Sequence, residues 1–286
     1  MNRIATTTRT LHNSFGIRNH RRIARRYSMA LPFPHPAYLP PGFSMSRCSP
    51  ADLDGMTDVY MQAFKDSGYT WWWGPLDTMY AWTKERIRRR FADAKTQQFK
   101  IVDDNTGRVV AWSKWDPPPR MTGLQSGFVV YGDDGSPITD TASGSIPAGI
   151  SKTVSGGEDA MAASAKSYAQ GPPEGCDVEL FEAFFGALVA VEKKWEADEK
   201  LVLTHLCTHP EFHGRGLGAA LLRSVLNIAD KEGIPAYLES LVQASPLYRR
   251  TGFEIVDELM LARDRNGKLG SAKMDIMVRE PRSWAS

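Results

Sequence analysis

The stretch "EFHGRGLGAALL", Glu211 to Leu222, decides the fold. Gly214, Gly216 and Gly218 alternate with Arg215 and Leu217, His213 precedes them, and an apolar run follows. Glycine leaves the backbone bare, and the first turn of a helix offers unpaired N–H groups at the positive end of its dipole. The combination predicts a cradle for a phosphate. Gly216 and Gly218 stand where alanine would favour a helix by about 1 kcal/mol. They therefore predict a ligand that approaches the backbone closely.

The flanks extend the pattern. "LVLTHLCTH" before the turn reads as a buried strand, and "GRGLGAALLRSVLNIADKEG" as a helix closed by Gly233. Then come a strand at "PAYLESLV" and a short helix at "SPLYRRTG", with Ser245 as N-cap and Gly252 just past its end. Two strands, "FEIVDELMLAR" and "KMDIMVRE", are joined through "DRNGK". Upstream, "DVELFEAFFGALVAVEKKWEADEK" is an amphipathic helix with Leu180, Phe184, Leu188, Val191 and Trp195 on its apolar stripe.

Farther back, "FKIVDDNTGRVVAWSKW" reads as a hairpin with Trp112 and Trp115 on its second strand. A second helix runs from about Asp77 through Arg90 to Lys95, with "RIRRR" (Arg86 to Arg90) as a solvated face. A first helix opens with Ser49 as N-cap, Pro50 at the first position and Asp52 as capping-box acid, after a short strand at "FSMSRCS". Residues 117–175 are rich in Gly, Pro and Ser. They show only a weak strand at "GFVVYG" and an Ala-rich stretch at "EDAMAASAKSYA", so they read as a long irregular insertion.

Composition bounds the function. The chain has 286 residues, 42% hydrophobic and 24% charged, as in ordinary globular proteins. No apolar run approaches the roughly 20 residues of a membrane-spanning helix. Cys48, Cys176 and Cys207 lie far apart without metal-type spacing, and their odd number argues against a disulfide framework. No metal site is expected. Residues 1–51 hold eight arginines and no acid, leaving 27 Lys and Arg against 33 Asp and Glu in the rest, a net of −6. The acidic body argues against a nucleic-acid partner.

The head, residues 1–27, is Arg-rich and acid-free, the composition of an organelle transit peptide. "ARRYS" is similar to the Arg-x-Tyr cleavage signal of mitochondrial presequences, with the cut after Tyr27, so mitochondrial import is expected. The alternative is a basic tail or a start at Met29 on a cytoplasmic protein. "LPFPHPAYLPPG" (Leu31 to Gly42) reads as a proline-rich linker outside the fold. The expected organisation is an extension over residues 1–42 and one domain over 43–282.

Three phosphate-binding turns compete for the glycines. A Walker A loop needs Lys-Ser/Thr after its last glycine, where Ala219-Ala220 stand. Gly214-x-Gly216-x-x-Ala219 satisfies the dinucleotide fingerprint formally, and Glu239 ends the next strand where a ribose-binding acid belongs. "THPEFH" separates that turn from its strand, however, and too little chain follows for further strand–helix units. An oxidoreductase is thus the weakest alternative.

The C-terminal half resembles the GNAT superfamily of N-acetyltransferases. The signature Gln/Arg-x-x-Gly-x-Gly/Ala reads here as His213-x-x-Gly216-x-Gly218, after His209-Pro210-Glu211 and before Tyr248-x-x-x-Gly252-Phe253. Residues 200–256 match tightly, 43–115 match in pattern, and 117–175 do not match. His213 departs from the usual Gln or Arg. The resemblance implies an α/β (α+β) domain with a central mixed, twisted sheet flanked by helices.

It also implies acetyl-CoA as cosubstrate, with its pyrophosphate on the turn His213, Gly214, Arg215, Gly216, Leu217, Gly218 and Ala219. The pantetheine arm would lie along Leu206, Cys207 and Thr208, where an N–H of Leu206 or Cys207 faces the thioester oxygen. Direct attack by the amine of a small molecule or peptide would use Tyr248 as general acid. Some family members use a glutamate base near the place of Val202, which cannot serve, leaving His205, Glu239 or a water chain. Cys207 reads as a buried apolar residue rather than an acyl carrier. "SGYTWWWGP" (Ser67 to Pro75) would border the acceptor site and suggests an apolar, aromatic or cationic acceptor. A degenerate domain that binds acyl-CoA without catalysis is the alternative of a different class.

Overall fold

The computed structural model describes residues 31–33, 36, 38–67, 70, 72–138, 170–265 and 268–282. The transit-peptide stretch, Trp71 and the Ala-rich stretch at 158–169 lie outside them. One sheet of seven strands runs through the chain: β1 (Phe43–Arg47), β2 (Gln97–Asp103), β3 (Val109–Asp116), β4 (Leu201–Thr208), β5 (Ala236–Leu241), β6 (Glu254–Arg265) and β7 (Lys268–Arg279). Its order is β1-β2-β3-β4-β5-β7-β6. Neighbours are antiparallel except β4 and β5, which are parallel. The sheet is therefore mixed, as expected.

Helices cover both faces. One face carries α4 (Leu217–Lys231) and α5 (Ser245–Arg250), whose Leu221, Leu222, Val225 and Tyr248 pack with Phe99, Ile101, Leu203 and Leu238. The other carries α1 (Leu53–Phe64), α2 (Leu76–Arg89) and α3 (Val178–Lys194), packed on Trp112, Val202, Cys207, Tyr237 and Ile276. Trp112 ties α1 to the sheet, because its indole N–H donates to the Met56 carbonyl at 2.9 Å. Asp52 serves as the expected capping acid, accepting from the Ser49 N–H at 2.8 Å.

Several local readings change. "GFVVYG" is not a strand. It makes an isolated bridge, Tyr131 to Pro137, around a tight turn in which Gly135 has φ +76°. The described part of the insertion adds to the core: Met121 and Leu124 are buried, and Arg47 donates to the carbonyls of Leu124 and Ser126. The proline-rich stretch contributes apolar cover, with Phe33 against Phe99 at 5.4 Å between ring centres and Leu31 and Leu39 on the same cluster. Ser245 is not an N-cap but the first residue of α5, with Ala244 before it. Its hydroxyl donates instead to the Asp275 carboxylate at 2.5 Å. The second helix ends at Arg89, and a 3₁₀ turn, Arg90–Ala92, replaces its expected last turn.

Candidate active site

The parallel pairing of β4 with β5 holds only for Leu201 with Ala236 and Val202 with Tyr237. Beyond these pairs the strands part, while β4 stays paired with β3 up to Thr208. The His209 N–H donates to the Val110 carbonyl, so the alternation of an antiparallel ladder turns the backbone of Leu206 and Thr208 towards the gap. The Thr208 carbonyl confirms the direction by accepting from His213 Nε2 at 2.9 Å. Of the two donors expected for a thioester oxygen, Leu206 is the one that faces the opening.

The start of α4 closes one end of this gap. Gly214 and Gly216 have φ of +74° and +81°, the left-handed region that side chains disfavour. No backbone acceptor takes the N–H groups of Gly214 to Ala219 among the described residues. The expected reason for the glycines needs dividing. Positions 214 and 216 need glycine for their backbone angles, with open space around both. Gly218 needs it for neither angle nor packing, since a Cβ there would touch Leu247, Leu206 and Thr208 only at 3.5, 3.7 and 3.8 Å. Gly218 thus sits where β4 and α5 converge on the turn. Arg215 folds back, with its guanidinium over Phe212 at 4.9 Å and on the Glu211 carbonyl at 3.3 Å.

Tyr248 lies on α5 at 7% exposure, edge-on to Phe253 at 6.0 Å. Burial pushes its phenol above the usual 10, and the neighbouring Cys207 adds to the shift. Cys207 is itself fully buried and its thiol is pushed up, as an apolar strand residue requires. The structure therefore brings together Leu206 to Thr208, the turn from His213 to Ala219, and Tyr248.

The opposite face of β4 holds a different group. His205 stacks on Trp112 at 5.6 Å and tilts against Tyr60. Its Nε2 lies 2.7 Å from Arg86 Nη2, and its Nδ1 3.3 Å from Thr204 Oγ1. A guanidinium can only donate, so Nε2 accepts and Nδ1 carries the proton. Burial first, and then Arg86, Lys114 and Arg90, hold its pKa well below 6.5. The run Arg86 to Arg90 is thus only half a solvated face. Arg88 and Arg89 pair with Glu85 in the open, whereas Arg86 and Arg90 turn inward beside His205. Their i, i+4 spacing, shared with Thr83 and Ile87, was the available signal.

Across the gap, Glu239 lies two residues beyond Tyr237 and so on the same face of β5. Its Oε1 is buried without a hydrogen-bond partner among the described residues. Burial first, then Glu192, pushes its carboxyl up to about 8. Of the tryptophans, Trp72 is fully buried, whereas Trp73 is partly buried and stacks on Tyr60 at 6.3 Å.

Residues 180–255 match the family model of the acetyltransferase (GNAT) domain. Over that segment the chain is similar to GNAT acetyltransferase domains. An uncharacterized N-acetyltransferase of Schizosaccharomyces pombe is 32% identical over 85 residues, covering 29% of this chain and 33% of that protein. The chain thus spans a third of that relative's length. Among solved structures, a mosquito arylalkylamine N-acetyltransferase-like protein superposes with TM-score 0.50 at 12% identity, over 83% of this chain and 99% of the other. A Corynebacterium glutamicum histone acetyltransferase-related protein gives 0.47 at 16% identity, over 86% and 99%. The mosquito structure shares the fold.

Proposed function

We propose that the chain transfers an acetyl group from acetyl-CoA to an amine. The observation that carries this reading is the gap that opens after Val202 and Tyr237, beside the uncapped start of α4. The residues fit the coenzyme. Leu206 and Thr208 offer strand-like backbone to an extended arm, and six consecutive unpaired N–H groups, Gly214 to Ala219, suit a pyrophosphate. The coenzyme supplies an activated thioester with a thiolate leaving group.

The chain supplies the rest. The Leu206 N–H donates to the carbonyl oxygen as negative charge develops there, a donor worth about 2.7–4 kcal/mol in comparable enzymes. Tyr248, protonated at neutral pH, gives its proton to the departing sulfur. Glu239 takes the proton of the attacking amine, because its carboxyl at about 8 is basic enough. His205 does not serve, since its one lone pair already accepts from Arg86. A reading as an acyl-CoA-binding module without turnover draws on the same held lone pair and on His213 in place of Gln or Arg.

Calorimetric titration of the full chain with acetyl-CoA, with NADH as control, tests the cradle. Micromolar acetyl-CoA binding lost in Gly216→Glu is expected, followed by release of free coenzyme with an amine panel. Binding without release would favour the module reading. Binding of NADH alone would return the glycines to a dinucleotide.

A further inference from the structure

The cavity between α1, α2, β3 and β4 holds more positive charge than the fold uses. Arg86, Arg90, Lys114 and His205 line it, with Tyr60 and Trp112 as flat walls. Lys114 pairs with Asp116 at 3.2 Å and Arg90 with Asp93 at 3.3 Å. Arg86 has no carboxylate partner among the described residues. It lies over Trp82 at 5.2 Å, holds His205 with Nη2, and leaves Nη1 buried and unpartnered.

Two more buried polar atoms on the same lining lack partners among the described residues: Thr83 Oγ1 and Gln98 Oε1, on residues 2% and 6% exposed. Native proteins satisfy nearly all such atoms. Three orphans around one cationic cavity mark a place where a ligand completes the bonding. An acceptor-only group fits the donors Arg86 Nη1–H and Thr83 O–H, and a rotated Gln98 amide adds a third. The planar fork of Arg86 between aromatic walls matches a planar oxyanion.

We propose that this cavity binds a carboxylate, and that the amine acceptor of this protein carries one. The second half rests on the acetyltransferase reading above. His205, on the cavity wall, directly precedes Leu206, whose N–H faces the gap, and strand residues rise by about 3.3 Å each. A carboxylate on Arg86 would therefore leave an amine a few bonds away to reach the acyl group. The local charge is opposite to that of the acidic body, so the acceptor differs from the purely cationic one that overall charge suggests.

Two measurements on the full chain decide it. In the first, sodium butyrate is titrated against intrinsic tryptophan fluorescence without acetyl-CoA, with inorganic phosphate in a parallel arm. Quenching by butyrate in the wild type, lost in Arg86→Gln and partly kept in Arg86→Lys, is expected. No response, or response to phosphate alone, overturns the carboxylate site. In the second, release of free coenzyme is followed with 4-aminobutyrate and with n-butylamine. The acid-bearing amine should show a KM at least tenfold lower, and Arg86→Gln should erase the difference. Equal KM values, or a preference that survives Arg86→Gln, overturn the proposal while leaving acetyl transfer intact. Failure to bind acetyl-CoA would instead sink the transferase reading, and the butyrate titration would still decide the site. Acetyl-CoA affinity of Arg86→Gln and Arg86→Lys serves as the check on folding.

Discussion

In the proposed mechanism Tyr248 is the acid, and its environment suits that role: burial raises a phenol that ordinarily titrates near 10, so it keeps its proton at neutral pH. Tyr248→Phe should lower kcat by about 10²-fold, within the range of general-acid catalysis, with calorimetric acetyl-CoA affinity unchanged. An equal loss in affinity would make it a packing residue. With Glu239 as the proposed base, its titration would set the pH dependence. As base it must be ionised, so kcat/KM should climb with pH up to about 8, and Glu239→Gln should flatten that climb. The same burial acts on stability with the opposite sign. Folding raises the carboxyl from the usual 4.5 to about 8, so its contribution is present below 4.5 and lost as pH rises through 8. Thermal melts should show Glu239→Gln gaining on the wild type between pH 5 and pH 9. Tyr248 was legible in the sequence because its distance to Gly252 and Phe253 is a motif. Arg86 was not, since a charge run does not say which of its members turns inward.

At the scale of elements, the turn into α4 separates two glycines that the backbone angles need from Gly218, for which neither angle nor packing requires glycine. Gly216 holds φ +81°, so Gly216→Ala should cost about 1–2 kcal/mol by chemical denaturation. Gly218 sits in the first helical turn with ordinary contact distances around a would-be Cβ. Gly218→Ala should leave the free protein as stable or up to about 1 kcal/mol more stable. Its acetyl-CoA affinity should fall at the same time, because the methyl group would occupy the side on which a pyrophosphate must approach. If stability and affinity moved together, Gly218 would be a fold glycine and the cradle would lie elsewhere. The sequence showed that bare backbone was required here. It did not show which glycine served which need, because that depends on φ and on what Leu247, Leu206 and Thr208 leave open. Ser245 failed as a cap for a related reason: the hydroxyl bonds with Asp275, thirty residues away, and no local pattern contains that partner.

Across the whole molecule, the strand and helix order was readable from period and turn residues, including the β4–α4–β5–α5 unit. What was not readable came from tertiary cover: Phe33 and Leu124 are drawn into the core from stretches rich in proline and glycine, which local signals assign to loops. One buried pair joins the parts to which the proposed chemistry is assigned. Arg279 at the end of β7 donates twice to Asp230 on α4, at 2.6 and 2.7 Å, and once to the Thr251 carbonyl after α5, at 2.9 Å. Both side chains are nearly inaccessible, at 4% and 6%. The helices α4 and α5 and the sheet are thus locked at one point, beside the closed end of the gap. Asp230→Asn leaves the guanidinium buried without its counter-charge and should cost about 3–5 kcal/mol in urea unfolding. The double substitution Asp230→Leu with Arg279→Met should recover most of that loss, since a well-packed apolar pair can replace a buried ion pair. Its catalysis should recover less than its stability, because Leu and Met cannot hold the Thr251 carbonyl that fixes the end of α5. Full recovery of both would show that the lock stabilises the fold without positioning Tyr248.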